Sequence, residues 1–311
     1  WDSLFFNFPG FPKAPVSSTH FLLDSRRRLL LATGNGLFYI KQDTIKAVRV
    51  NGTPLINIPF ITIAEGKDGA IWLGGFSGAY RVTDSGMMQY GKKSGFTDNT
   101  INTILCDKEG SIWFGSEGQG LYRFSGSQFS ILDERSSLPS EQVMSFAPTP
   151  SGRLYIGTAD AGLFYYDKEN IIPIPLQYKN AYISALYADG EYDIWVGTGG
   201  DGLCRIKGGE RIYYSSAELP AKATIFSLYK DTARKLWIGT GNGAVIYEKN
   251  KFTRLSGVSS NVLSFVTIGS DSTLIVAATG LYLYHNNSVS RFKTDDPLDN
   301  ANPQCMVLHG K

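Results

Sequence analysis

The residue types that most often transfer protons or bind metals are few and scattered along the chain. None of the histidines lies within a few residues of another or of a metal-binding cluster. They are His20, His285 and His309. Neither a zinc site nor a histidine-based triad has local support, so we predict no metal, no cofactor and no catalytic site.

Cysteine, carboxylate and glycine-rich motifs give no catalytic signature either. The three cysteines are about a hundred residues apart, an odd number that cannot all pair within one chain. They are Cys106, Cys204 and Cys305. The chain has 28 acidic residues, so the sequence leaves open a pair of carboxylates of the kind that glycosidases use, although no motif indicates one. The glycine-rich run 197–202 lacks the Lys-Ser/Thr of a phosphate loop.

Amides, carboxylates and aromatic rings do recur within short, mostly glycine-rich turns. The candidate ligand-binding residues are Asn35, Phe76, Glu117, Gln119, Asp160, Asp201, Asn242 and Tyr178. Such side chains suit a carbohydrate, which offers hydroxyls for hydrogen bonding and flat C–H faces for stacking. For any single one, an ordinary turn residue is the competing interpretation, so the hypothesis concerns the set.

A repeat positions these turns. The motif Trp/Tyr-x-Gly recurs every 40–42 residues, at Trp72, Trp113, Tyr155, Trp195 and Trp237. Weaker copies at Leu30 and Ile275 bring the total to seven. The regular spacing predicts that the aromatic anchors pack between neighbouring units, and that the glycine two residues later allows a close approach of backbone.

Each copy carries four alternating apolar runs separated by three tight turns, which is the content of one propeller blade. We therefore predict an all-β fold, a seven-bladed β-propeller with four antiparallel strands per blade, as a single domain over residues 1–311. Ring closure protects the faces and edges of the sheets, and loops from all blades then converge around one mouth. The candidate residues belong to the loops of that face.

The two ends of the sequence are expected to meet at the seam of the ring. Residues 1–16 and 293–311 are predicted to contain seam strands and a linker, and whether the linker leads to a further domain stays open. Which end completes the ring stays open. The sequence does not decide between an excised propeller and a complete protein.

Composition excludes some partners. Apolar residues make up 42% of the 311 residues and the formal net charge is +2. No overall basic field exists to attract nucleic acid, and no apolar stretch approaches the roughly 18 residues that a membrane span requires. We expect neither nucleic acid nor membrane contact.

The motif Asp-x-x-Gly-x-Ile-Trp-x-Gly-Ser/Thr followed by Gly-Leu-x-Arg occurs at 107–116 with 120–123, and its second half recurs at 193–198 with 202–205. It resembles the two-component-regulator propeller repeats. This resemblance implies the periplasmic sensor region of a Bacteroides-type hybrid two-component system, with two tandem propellers, a sandwich domain, a membrane helix and a cytoplasmic histidine kinase.

The resemblance favours a ligand-sensing, non-enzymatic domain of a signalling receptor that binds a small polar ligand such as an oligosaccharide. The chain departs from the family layout in having one propeller and none of the downstream parts. One alternative is a protein-interaction scaffold that docks a second propeller or the receptor's own dimer mate. A propeller lyase or glycosidase is the less favoured alternative.

Overall fold

A computed structural model of the chain describes residues 19–41, 44–91, 94, 100–126, 128–132, 138–178, 181–215, 217, 219, 223–267 and 272–291. These residues form strands and turns without a helix. None of them could therefore belong to a helix that crosses a membrane. The predicted seam segments at 1–16 and 293–311 lie outside the described residues, as do Cys305 and His309.

The chain divides into two compact units, one formed by Trp1–Val143 with Asp296–Lys311 and the other by Met144–Asp295. The first unit contains three four-stranded blades and a short hairpin. Blade 1 is β1 (Thr19–Leu23), β2 (Leu29–Thr33), β3 (Gly36–Lys41) and β4 (Thr44–Ala47), and the hairpin is β5 (Arg49–Val50) and β6 (Thr53–Pro54). Blade 2 is β7 (Phe60–Glu65), β8 (Ile71–Gly75), β9 (Gly78–Thr83) and β10 (Gly86–Tyr90). Blade 3 is β11 (Ile101–Cys106), β12 (Ile112–Ser116), β13 (Leu121–Phe124) and β14 (Phe129–Leu132).

The second unit contains four blades, of which the first begins at the boundary residue. Blade 4 is β15 (Val143–Pro148), β16 (Leu154–Thr158), β17 (Leu163–Tyr166) and β18 (Ile171–Ile174). Blade 5 is β19 (Ile183–Ala188), β20 (Asp193–Thr198), β21 (Leu203–Lys207) and β22 (Glu210–Tyr214). Blade 6 is β23 (Ile225–Lys230), β24 (Leu236–Thr240), β25 (Gly243–Glu248) and β26 (Lys251–Arg254). Blade 7 is β27 (Val262–Thr267), β28 (Ser272–Ala277), β29 (Gly280–His285) and β30 (Ser288–Arg291).

In every blade the four strands pair in sequence order. Each sheet is thus a meander whose successive antiparallel strands are joined by tight turns. The predicted seven-bladed β-propeller with four antiparallel strands per blade is confirmed. The seven predicted anchors lie in the second strands.

The anchors pack between blades, as predicted. Trp72 stacks on Tyr90 of its own blade at 5.4 Å and meets Phe114 of the next blade edge-on at 5.5 Å. Trp195 likewise contacts Tyr214 of blade 5 and Tyr247 of blade 6. All five aromatic anchors are buried. The Trp72 and Trp195 rings therefore fill the space between neighbouring sheets, which is the packing that the spacing indicated.

The glycine two residues after an aromatic anchor is required by a close approach in blades 2 and 5. A Cβ on Gly74 would lie 2.6 Å from Ile101 Cγ2, and one on Gly197 would lie 2.6 Å from Ile225 Cγ2. In both cases the isoleucine begins the first strand of the next blade. Any side chain at these glycines would push adjacent blades apart.

The hairpin of β5 and β6 was not predicted. Asn51 and Gly52 form its turn, both with positive φ, as a two-residue hairpin turn demands. Val50 and Leu55 are buried in the core of the first two blades, and Leu55 exchanges backbone hydrogen bonds with Leu37 and Val48. The hairpin therefore extends blade 1 and covers part of its core.

Candidate functional site

The loops between the second and third strands of the blades carry most of the predicted site residues. A hydroxyl at the end of the second strand fixes these loops in five blades. In blade 5 Thr198 Oγ1 accepts a hydrogen bond from Asp201 N–H at 2.8 Å and donates to the Gly202 carbonyl at 2.9 Å. The same pair of bonds occurs at Thr33, Ser116, Thr158 and Thr240. The Ser/Thr that follows the motif glycine therefore sets the shape of each loop.

In the first unit the predicted residues occupy equivalent loops. The backbone N–H groups of Asn35 and Gln119 donate to the strand-end hydroxyls of Thr33 and Ser116. Glu117 and Gln119 are exposed. Blade 2 has Gly75 in place of the hydroxyl residue, and the ring of Phe76 beside it is 54% exposed.

In the second unit Asp160, Asp201 and Asn242 occupy the equivalent loops of blades 4, 5 and 6. Asp160 and Asn242 are exposed, and Asp201 is half-buried. Tyr178 lies apart from them, in the connection between blades 4 and 5, where its ring meets the Tyr213 ring edge-on at 5.4 Å. The three loop residues are thus structurally equivalent, and Tyr178 lies in a connection between blades rather than in one of these loops.

Around Tyr178 is a small cleft of about 270 Å³, lined by residues 161–163 and 173–178. Tyr213 Oη accepts a hydrogen bond from Gln177 N–H at 2.7 Å, and Arg211 Nε donates to the Pro175 carbonyl at 2.5 Å. These bonds fix the cleft wall. Asp160 immediately precedes the segment 161–163 that lines the cleft.

Three exposed apolar residues near the loops of blades 5 to 7 were missed by the sequence analysis. Tyr182 is 40% exposed, Phe226 37% and Leu263 38%. We refer to Tyr182, Phe226 and Leu263 as the apolar row. Phe226 and Leu263 sit at the bulges of β23 and β27, where the register skips one residue. A bulge redirects a side chain against the alternation of the strand, so the alternating pattern did not mark them.

Each ring of the apolar row is backed by a loop glycine. A Cβ on Gly199 would overlap the Tyr182 ring, and one on Gly241 would lie 3.6 Å from Phe226 Cε2. Only a glycine at 199 lets the Tyr182 ring lie against backbone, whereas a Cβ at 241 would make ordinary van der Waals contact with Phe226. The run of glycines at 199–200 was the available sequence signal for such a backing.

Hydrogen bonds between blades 5 and 6 hold this region together. Ser184 Oγ donates to the Ile225 carbonyl at 2.5 Å, and Gly202 N–H donates to the Ala223 carbonyl at 3.0 Å. Gly199 also forms a β-bridge with Thr224. Tyr182, Asp201 and Phe226 are therefore positioned by one bonded framework.

The chemistry available at the apolar row is binding by stacking and hydrogen bonding. Burial raises the pKa of the Tyr182 phenol, which keeps it protonated and able to donate at neutral pH. Across the part of the chain that the structure describes, histidine, cysteine and carboxylate side chains do not cluster in a way that could hold a metal ion. His285 lies at the far end of β29, where its Nδ1 contacts Ser272 Oγ at 2.9 Å.

Comparison with known proteins assigns the repeat. Residues 95–118, which include β11 and β12, match the two component regulator propeller family. One repeat of the chain, at residues 95–118, therefore matches this family. The prediction from the motif at 107–116 is thereby confirmed. No curated protein matches the sequence.

Solved structures extend this propeller relationship to the whole fold. The extracellular domain of a hybrid two component system from B. thetaiotaomicron is 18% identical with a TM-score of 0.65; the match covers 95% of this chain and 48% of that one. The chain thus spans about half the length of that relative. At this identity the likeness shows the fold alone.

Two other propellers have different roles. Virginiamycin B lyase from Staphylococcus aureus is 12% identical with a TM-score of 0.66, over 84% of this chain and 92% of that one. PorZ of Porphyromonas gingivalis, a surface component of the type-IX secretion system, is 14% identical with a TM-score of 0.62, over 87% of this chain and 43% of that one. The fold by itself therefore does not fix function.

Proposed function

We propose that this chain is a ligand-sensing domain of a two-component signalling receptor, located in the periplasm, and that it binds an oligosaccharide without chemically changing it. The repeat family and the related extracellular domains support the receptor assignment. The binding assignment rests on the apolar row and the loops beside it.

The observation that carries the proposal is the pair of aromatic rings on blades 5 and 6. Tyr182 and Phe226 are each backed by a glycine and still expose more than a third of their surface. Exposed rings held in place suit stacking against the C–H faces of a sugar, and little conformational entropy is lost on binding. Asp201 and Asn242, in the adjacent loops, supply a carboxylate and an amide for the sugar hydroxyls.

Signalling needs a ligand that binds one arrangement of the receptor more tightly than another. The ligand would then shift the population of receptor arrangements by as much as its two affinities differ. In this mechanism the propeller binds and discriminates, and no bond in the sugar is broken.

The direct test is thermal unfolding of the purified chain with a panel of neutral plant, host and microbial oligosaccharides. A sugar that binds only the folded state at about a hundredfold excess over its Kd should add about 2.7 kcal/mol of stability. Tyr182→Ala and Phe226→Ala should each reduce the shift, whereas Tyr192→Ala, which removes a ring that is 61% exposed on another turn, should leave it unchanged. An unchanged shift in both site variants would refute the apolar row as the site.

The same samples test for catalysis. Chromatography of the sugars after prolonged incubation should return them intact. Shortened products that depend on the chain would replace the sensor proposal with a lyase or glycosidase, the role for which the lyase neighbour provides a precedent in this fold.

A scaffold function is the second candidate, and one observation favours it. On β10, an outer strand of blade 2, Met87 and Met88 are both exposed. Flexible apolar side chains on a sheet edge suit docking of a second propeller or of the receptor's dimer mate. Sedimentation of Met87→Gln/Met88→Gln beside the unaltered chain tests this, because a scaffold edge predicts self-association that the variant loses.

A further inference from the structure

A cleft in the second unit lies along the outer part of blade 6, beside blade 7. Its volume is about 430 Å³. Strand β26 and the turn before it form one side, and Tyr284, Asn287 and Val289 of blade 7 form the other. We call this cleft the blade 6 groove. It shares no residue with the apolar row.

The blade 6 groove concentrates positive charge. Four cationic residues line it, and Glu248 is the one acidic residue among the described residues of its lining. The cations are Lys235, Lys249, Lys251 and Arg254. Four positive charges and one negative charge give +3 in the groove, which exceeds the +2 of the whole chain. Such a local excess in a cleft creates a field that attracts anions.

None of the four cations forms an ion pair with a residue that the structure describes. Glu248 pairs in register with Lys251 without an ion pair between them. The carboxylate of nearby Asp231 accepts hydrogen bonds from the backbone N–H of Lys235 at 2.8 Å and from Trp237 Nε1 at 2.9 Å, and since both donors are neutral it keeps its negative charge. Arg254 donates to the Asn242 carbonyl, which is neutral.

The walls of the groove combine two other kinds of surface. Ile246, Leu255 and Val289 are apolar, while Thr253 and Ser256 contribute hydroxyl groups. A small inorganic anion would need neither. A sugar that carries acidic groups matches all three features, because its C–H face can lie on apolar atoms while its hydroxyls and carboxylates meet the polar and cationic groups.

More than one cation is available to a ligand with several anionic groups. Lys251 begins β26 and Arg254 ends it. Because residues three apart on a strand leave opposite faces, Lys251 shares the groove with Lys249 and Lys235 rather than forming a row with Arg254.

We propose that the blade 6 groove binds an acidic oligosaccharide, with carboxylate groups paired to Lys249 and Lys251. This site is separate from the apolar row, and neither proposal depends on the other. A ligand that lacks the carboxylate charge should bind the groove weakly, because the cations then have no partner.

The test is calorimetric titration of the full chain with trigalacturonate and, in parallel, with its methyl ester, which keeps the sugar and removes the charge. At about 50 mM salt we expect the acid to bind at least about tenfold more tightly than the ester, and the difference to shrink at about 300 mM because salt screens exposed charges. Lys249→Gln/Lys251→Gln should weaken acid binding at least about tenfold. Lys46→Gln/Lys207→Gln is the matched control, since both residues are exposed and the same charge is lost.

Each remaining outcome is decisive. Equal binding of acid and ester, or equal losses in the groove variant and its control, would overturn the proposal. If Phe226→Ala loses acid binding while Lys249→Gln/Lys251→Gln keeps it, the acid binds at the apolar row and the groove assignment is overturned. If the acid binds the groove while neutral sugars fail to bind the apolar row, this proposal stands and the proposed function falls. Equal affinity for a single-stranded oligonucleotide of the same charge would overturn the sugar class.

Discussion

Replacing Gly197 with alanine should separate blades 5 and 6, because the added methyl group has no room. Its carbon would lie 2.6 Å from Ile225 Cγ2 and 2.8 Å from Ile225 Cβ. Carbon atoms in favourable contact are about 3.5 to 4.0 Å apart, so the overlap approaches about 1 Å. A change of rotamer at Ile225 can move Cγ2 but not Cβ, and the backbone of one blade must therefore shift.

The expected cost follows from overpacking of a tight core, which is about 1 to 3 kcal/mol. Two contacts under 3 Å against a fully buried isoleucine place Gly197→Ala toward the upper end. Unfolding entropy of about 2.1 cal/mol/K per residue gives about 0.65 kcal/mol/K for the chain, so about 3 kcal/mol lowers Tm by about 5 °C.

The assay is thermal and denaturant unfolding of Gly197→Ala beside Gly190→Ala. Gly190 is the matched control, since a Cβ there meets nothing closer than Asp193 Cβ at 4.0 Å. That variant should differ from the unaltered chain by less than about 1 kcal/mol, in the stabilising direction. In an Ile225→Ala background, Gly197→Ala should cost less than alone, because part of the clash is gone. Equal stability of the two glycine variants would refute the packing argument.

In chemical unfolding, Trp113→Phe should destabilise the chain by about 1 to 2 kcal/mol more than Trp195→Phe. The reason is that Trp113 Nε1 donates to Asp107 at 2.7 Å, whereas buried Trp195 Nε1 has no partner among the described residues. Equal losses of stability in the two variants would contradict this. Burial raises the pKa of the Cys204 thiol to about 11. In a variant whose other cysteines are replaced, Cys204 should therefore react with a thiol reagent at pH 8 about two orders of magnitude more slowly in the folded state than in the unfolded state. Burial alone would raise the pKa of Glu191, but hydrogen bonds from Ser151 and the charge of Arg153 outweigh it and lower the pKa. The stability that this lowered pKa contributes is present above pH of about 4.5 and is lost as the pH falls through the lowered pKa of the folded state. Glu191→Gln should therefore be less stable than the unaltered chain at pH 7, and the two should become equally stable on acidification. A constant difference between their unfolding free energies would contradict the assignment.

The features that recur in every repeat could be predicted from the sequence. Trp72 and Gly74 differ in size and shape from their neighbours, so the recurrence of such residues every 40–42 positions is easy to recognise. From that recurrence we predicted the length of a blade, the packing of the anchor between blades and the close approach at the glycine. The loop positions of Asp201 and Asn242 followed from counting strands. The hydroxyl of Thr198 that fixes its loop is also part of the repeat, although its hydrogen bonds emerge only in the structure.

Features that break the repeat could not be predicted in the same way. Phe226 sits at a bulge, which reverses the side on which an alternating pattern would place it. The groove on blade 6 depends on Lys235, Lys249 and Lys251, which are separated by a strand and a turn and come together only when the strands pair. The hairpin at Asn51-Gly52 did carry a local turn signal, but the 41-residue period left no place for it.

One departure from the repeat links the structure of blades 5 and 6 to the proposed site. At the position where Asp107 binds its own blade's tryptophan, Asp189 instead forms a buried ion pair with Lys230 of the next blade. This ion pair joins the two blades beyond the end of β19, and Ser184 joins them near its start through the Ile225 carbonyl. The Trp195 indole loses its acceptor in exchange, which is a cost that other blades avoid. The blades that carry Tyr182 and Phe226 are thereby joined at both ends, so the spacing of the two rings is set before a ligand binds. A rigid pair of rings binds a sugar with less loss of conformational entropy than a mobile pair.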